Sequence, residues 1–150
     1  MVLALARGAE AAPAAPGFLL NLLDGTPFDS RESIGKHVLV LRFQASYCKP
    51  CVRESAALNR VADRYKDRGV KVLAIHVQDT VRDIRAFTRA QKVTYAIGLD
   101  PRLTVGNKFG FRGTPYTVVI DRGGEIVASL HGVSAVSRLP KTLDELLAKK

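Results

Sequence analysis

The stretch SYCKPCVRE, residues 46–54, holds the only two cysteines of the 150-residue chain, Cys48 and Cys51, with Lys49 and Pro50 between them. Two thiols at this spacing suit a redox couple, half of a metal site or a structural staple. What precedes and follows them separates these readings. HVLVLRF, just upstream, is a short apolar run suited to a buried strand. Downstream, Leu58, Val61, Ala62 and Tyr65 recur at helical spacing, and Gly69 stands where a helix C-cap would. The pair therefore sits where a strand gives way to a helix that begins near Pro50, a residue whose missing N–H removes no bond in the first turn.

That position has chemical consequences. Unpaired amides and the macrodipole at a helix N-terminus favour an anion, so Cys48 is expected to be thiolate-prone, with the Lys49 ammonium beside it. Cys51 lies one turn later, close enough for a disulfide and aimed toward the core, as a resolving thiol must be. Zinc is disfavoured because it takes four ligands, and His37, His76 and His131 are scattered through the sequence. A staple closing so small a loop would constrain the unfolded chain little. His76 shares a strand face with Val72 and Ala74 and reads as a hydrogen-bonded polar neighbour of the core.

Further out, FLLNLLDG reads as a strand ending in a turn at Asp24 and Gly25, and VKVLAIHV, residues 70–77, as another buried strand. Val81, Ile84, Phe87 and Ala90 mark one face of a helix capped by Asp79 or Thr80. A short helix is expected over 101–109. YTVVI, the turn DRGG and EIVASLH form an antiparallel hairpin, and Val136, Leu139, Leu143, Leu146 and Leu147 line a closing helix. The fold class is α/β, a mixed sheet flanked by helices, in one domain over 17–150.

The strand, FQASYCKPC, the helix and GTPYTVVIDRGGEIV together resemble the thioredoxin fold, and the order of the elements resembles the TlpA/ResA-like thiol-disulfide oxidoreductases of the bacterial cell envelope. The resemblance runs from about Phe18 to the C-terminus. It implies that Cys48 and Cys51 are the active pair and that Thr114 and Pro115 form a cis-proline loop beside them. Thr114 would pair with a substrate peptide, with Tyr47, Lys49 and Pro50 completing the substrate surface. The long stretch between Cys51 and Pro115 leaves room for an extra strand and helix, as in this branch. Gln44 and Tyr47 stand where the family usually has tryptophan, and Arg42 where minimal thioredoxins carry a buried acid. Glu54, three residues after Cys51, matches a glutamate of the ResA-like branch. It is expected to lean toward the core and exchange the proton of Cys51, or else to turn outward and pair with Arg53 or Arg42.

The expected activity is exchange of electrons with protein thiols and disulfides, with no metal or organic cofactor beyond the Cys48–Cys51 disulfide. The resemblance implies a reductant of exported proteins, apocytochrome c among them, served by an upstream electron donor that could be membrane-bound. Three alternatives stand beside it: a dithiol oxidant, a copper-handling protein of the same fold, and a thiol peroxidase. For the last, Leu41 and Ala45 occupy the positions where such enzymes place proline and threonine before the nucleophile.

A formal charge of +9 comes from lysines and arginines spread over every segment, without a basic run of five or interleaved aromatics, so no nucleic-acid footprint is present. The first sixteen residues, MVLALARGAEAAPAAP, read as a flexible tail. It resembles the end of a trimmed export signal or membrane anchor and places the protein in the periplasm; the alternative is an ordinary N-terminus of a cytoplasmic protein.

Overall fold

A computed structural model describes residues 12–149, built as one seven-stranded mixed sheet with helices against it. The strands are β1 (Leu19–Leu22), β2 (Pro27–Asp29), β3 (Val38–Gln44), β4 (Val70–Val77), β5 (Ala96–Asp100), β6 (Tyr116–Ile120) and β7 (Ile126–His131). The helices are α1 (Lys49–Tyr65), α2 (Val81–Ala90), α3 (Thr104–Lys108) and α4 (Ala135–Ala148). The sheet order is β2-β1-β5-β4-β3-β6-β7. β3, β4 and β5 run parallel, and the two hairpins add antiparallel strands at either edge.

β3 is central and buried along its whole length because both of its faces are covered. Leu39, Leu41 and Phe43 point to one side, where Leu73, Ile75, Phe109, Tyr116 and Val118 join them. Val38 and Val40 point to the other and meet Leu58, Val61 and Tyr65 of α1 and Val136, Leu139 and Leu143 of α4. Strand alternation then puts the next even positions, Arg42 and Gln44, on the helix-covered face beneath the start of α1. Tyr65, with no exposed surface, ties α1 to α4 by donating its hydroxyl hydrogen to Asp144 Oδ1 at 2.6 Å.

α1 ends as expected: a short 3-10 turn over 66–68 leads to Gly69 at φ 78°, a left-handed conformation that favours glycine. Two strands escape the sequence patterns. β2 is three residues long and begins with proline, which suits only a sheet edge. β5 contains Gly98, whose position is dictated from across the sheet, since a Cβ there would lie 2.7 Å from Leu20 Cδ1. β4, α2, β5 and α3 fill the long stretch between Cys51 and Pro115.

Two sequence expectations are corrected. The apolar face of α2 is narrower than its spacing suggests, since Ile84 and Phe87 are buried while Val81 and Ala90 are exposed. The tail expected over 1–16 lies outside the described residues up to position 11, but 13–15 are not free. Ala14 bridges Glu125, the Ala15 amide donates to Gly124, and Pro13 accepts from Ile126. This stretch docks on the β6–β7 hairpin because the turn there presents open backbone groups. No helix among the described residues is long and apolar enough to cross a membrane.

Candidate active site

Cys48 is the N-cap of α1. Its extended backbone lets the carbonyl accept from the Val52 amide at 3.1 Å, while its sulfur accepts from the Cys51 amide at 3.3 Å. This is the helix-start environment in which an anionic sulfur is favoured. The two cysteines form a disulfide with Cα atoms 5.2 Å apart. They differ in access: Cys48 keeps 6% of its surface exposed and Cys51 1%. Ala45 packs against both cysteines, and neither it nor Leu41, both without exposed surface, brings a hydroxyl to the pair.

The other expected site residues gather at the same end of the sheet. Phe43 pairs with Tyr116 across β3 and β6, so Thr114 and Pro115 project from β6 where β3 delivers the cysteines. The Thr114–Pro115 bond is cis, and Pro115 is buried with its carbonyl accepting from Gly132. Tyr47 is 62% exposed and donates its hydroxyl hydrogen to the Val77 carbonyl at 3.2 Å; burial of its oxygen, and then the Asp79 charge, push its pKa up. Lys49 is exposed and Pro50 half-buried.

Beneath the cysteines lies a polar floor. The Arg42 guanidinium, 1% exposed, donates through Nη1 to Thr117 Oγ1 at 3.0 Å and through Nη2 to Glu54 Oε2 at 2.5 Å. Glu54 thus does both things the sequence set as alternatives: it leans inward and it pairs with Arg42. An acid returns to this place from the helix, bound to the base that occupies the strand. Among the described residues, Arg42 Nε and the Tyr95 hydroxyl are buried without a hydrogen-bond partner, and burial pushes the Tyr95 phenol up to about 12.

A second polar group was only half legible. His76 is buried and hydrogen-bonded, as its strand face suggested, but Asp79 is not the cap of α2; Thr80 Oγ1 caps it by accepting from the Asp83 amide. Asp79 instead accepts from the Ser46 amide at 2.7 Å, the Ser46 hydroxyl at 2.8 Å, the Thr80 amide at 3.0 Å and His76 Nδ1 at 3.0 Å. With the proton on Nδ1, His76 Nε2 accepts from Gln44 Nε2 at 2.9 Å. The parallel register Gln44↔His76 makes this contact, and strand pairing is what a sequence alone withholds.

Burial pushes His76 below its ordinary value, outweighing the opposite pull of Asp79. Burial pushes Asp79 up, but its hydrogen bonds from His76 and Ser46 more than offset this and hold it below the usual range. Both groups are depressed by folding, so the unfolded chain binds more protons and stability falls as the pH falls. The contribution is complete above 6.5, the ordinary histidine value, and shrinks below it, with Asp79 adding its share as pH drops through and below 3.8. Urea unfolding should show a declining free energy below about pH 6.5, and His76→Gln should flatten the upper part of that decline. A parent profile that is level from pH 6.5 to about 5 would contradict it.

The model of the AhpC/TSA family matches residues 11–129. The chain belongs to the AhpC/TSA family. Within this family its sequence is similar to the thiol-disulfide oxidoreductase ResA of Halalkalibacterium halodurans, 33% identical over 79% of this chain and 67% of the relative. The ResA of Geobacillus kaustophilus is 30% identical over 88% of this chain and 75% of its own. A thiol:disulfide interchange protein of the thioredoxin family from Chlorobium tepidum superposes with a TM-score of 0.83 over 94% of this chain and 100% of its own; at 21% identity it speaks for the fold. The likeness to the TlpA/ResA-like branch is thereby established. This family member, with its Cys48–Cys51 couple, is a thiol-disulfide oxidoreductase.

Proposed function

We propose that the protein reduces disulfides of exported proteins in the bacterial cell envelope, with the paired cysteines of an apocytochrome c as one candidate substrate. The observation that carries the chemistry is the unequal exposure of the two cysteines, 6% for Cys48 at the helix start against 1% for Cys51. The Cys48 thiolate attacks one sulfur of the substrate disulfide, forming a mixed disulfide and releasing a substrate thiolate, which takes a proton. Cys51 then loses its proton and attacks Cys48 Sγ, and the second substrate thiolate leaves and is protonated. The substrate gains two electrons and two protons, and Cys48–Cys51 becomes the disulfide. The sulfurs carry the electrons themselves, without a bound cofactor, and an upstream dithiol donor, membrane-bound in this reading, returns the pair to its reduced form.

Glu54 is the proposed group for the Cys51 proton, through the carboxylate oxygen that Arg42 does not hold. Tyr47, Lys49, Pro50, Thr114 and Pro115 form the proposed substrate surface. The reductive direction and the envelope location rest on the resemblance to the TlpA/ResA-like branch. Stoichiometric Cu(I) binding that survives competition by glutathione would favour the copper-handling reading instead.

The test is an oxidised peptide bearing a Cys-x-x-Cys-His pair, mixed with the pre-reduced protein. One peptide disulfide should disappear for each Cys48–Cys51 disulfide formed. If the oxidised protein instead converts the reduced peptide to its disulfide, the direction is reversed.

A further inference from the structure

Asp79 lies outside the cysteine motif, yet it holds the segment that delivers Cys48. Its side chain is 2% exposed and that of His76 is fully enclosed. Two of its four donors come from Ser46, one from the backbone amide and one from the hydroxyl. Residues 45–48 form a tight turn closed by the Cys48 amide donating to Ala45 at 3.1 Å, so a carboxylate fixed on Ser46 holds the turn two residues before Cys48. Tyr47, between them, is joined to the same strand end through Val77. The turn is thus fastened to the C-terminal end of β4 at two successive residues.

We propose that Asp79, oriented by His76 and Ser46, is a positioning residue of the thiol-disulfide reaction: it fixes the Ser46–Tyr47 turn and sets a buried negative charge near the start of α1 that disfavours the Cys48 thiolate and shifts the couple in the reducing direction.

The sign follows from which form the charge opposes. A thiolate exists only in the reduced protein, so an anion nearby weakens the reduced state relative to the disulfide and makes the protein a better electron donor. The helix start and Lys49 act in the opposite sense on the same sulfur. Lys49 is exposed and screened, whereas Asp79 is enclosed and feels little salt. The groups around Asp79 leave its charge uncompensated. His76 is its partner from β4, and its ring, packed edge-on against Phe87 of α2, is held neutral by burial. Tyr47 faces it from the turn as an un-ionised phenol whose pKa the carboxylate raises. At the start of α2, Arg82 is 89% exposed and bonded to Asp83, itself 45% exposed.

The inference rests on the reductive reading for its biological sense, but its test does not, because it reads a difference between variant and parent rather than an absolute potential. Asp79→Asn removes the charge at nearly unchanged volume. The introduced carbonyl oxygen keeps the Ser46 hydroxyl and the Thr80 amide, and the introduced amide donates to His76 Nδ1 once His76 moves its proton to Nε2 and Gln44 turns its oxygen to accept it; the Ser46 amide, which shares Oδ2 with His76, loses its acceptor, so the turn is loosened as well as discharged. The pH profile of Cys48 alkylation by iodoacetamide should shift down by about half a unit to one unit. At a pH above both thiol values, the potential against glutathione should become less negative by the equivalent, about 15–30 mV. An unchanged or upward-shifted profile would overturn the proposal.

Should Asp79→Asn fail to fold, the parent protein still decides. Nitrogen NMR of His76 should show the neutral ring with its proton on Nδ1 at neutral pH in the reduced state. A doubly protonated ring there would cancel the charge and overturn the proposal. A parent couple that proves oxidising, with the expected shift in Asp79→Asn still present, would refute the reductive reading and leave the role of Asp79 standing.

Discussion

Cys51→Ser will accumulate a mixed disulfide between Cys48 and its substrate, and Cys48→Ser will trap nothing and lose turnover. The geometry requires the asymmetry. Cys48 is the more exposed of the two cysteines, it caps α1, and its sulfur accepts from the Cys51 amide. Cys51 is enclosed and can attack only what Cys48 already holds. The helix start favours the thiolate of Cys48, the reactive form, over that of a thiol without such a site. Enclosure of Cys51 widens the gap. In the reduced protein iodoacetamide should therefore modify Cys48 first, by at least about ten-fold in rate. Mass spectrometry of the labelled peptides checks it, and faster labelling of Cys51 would reverse the assignment.

Glu54→Ala will destabilise the fold more than Arg42→Met. Arg42 is nearly sealed from water, and without Glu54 its guanidinium is left buried with Thr117 as its remaining partner among the described residues. An uncompensated buried charge of this kind costs about 3–5 kcal/mol, a large part of the roughly 5–15 kcal/mol that holds a domain together. The reverse deletion is milder. Glu54 keeps 16% of its side chain exposed, and it borders a groove of about 510 Å³ between α1 and α4, with Arg60 and Arg64 on its wall. A freed carboxylate can turn there toward water and positive charge. Arg42→Met with Glu54→Leu, which removes both charges, should recover most of the loss. Urea unfolding of the oxidised proteins measures all three. A Glu54→Ala variant within about 1 kcal/mol of the parent would mean that the pair contributes little, contrary to its burial.

The sequence carries the parts of this protein that repeat with a period. β3 and β4 are unbroken apolar runs because both faces are covered, and α1 shows its buried face at helical spacing and its end at Gly69. The cysteine pair is legible for the same reason: its meaning depends on a strand before and a helix after, both visible locally. β2 and β5 carry no local signal, because a three-residue edge strand has no period and Gly98 meets its constraint at Leu20 on another strand. The site divides along the same line. Cys48, Cys51 and the inward lean of Glu54 follow from positions along one helix. The clamp of Asp79 on Ser46, and the contact of His76 with Gln44, depend on the register of β3 against β4. Two polar residues separated by about thirty positions give no sign in sequence that they share a proton.

Whether the Cys48–Cys51 couple lies on the reducing side is read from the equilibrium between the protein and a graded series of glutathione buffers, as the fraction of Cys48–Cys51 disulfide. The protein should remain half oxidised only in buffers more reducing than about −230 mV, toward the thioredoxin end of the range near −270 mV. A midpoint near −120 mV, where strong dithiol oxidants lie, would contradict it.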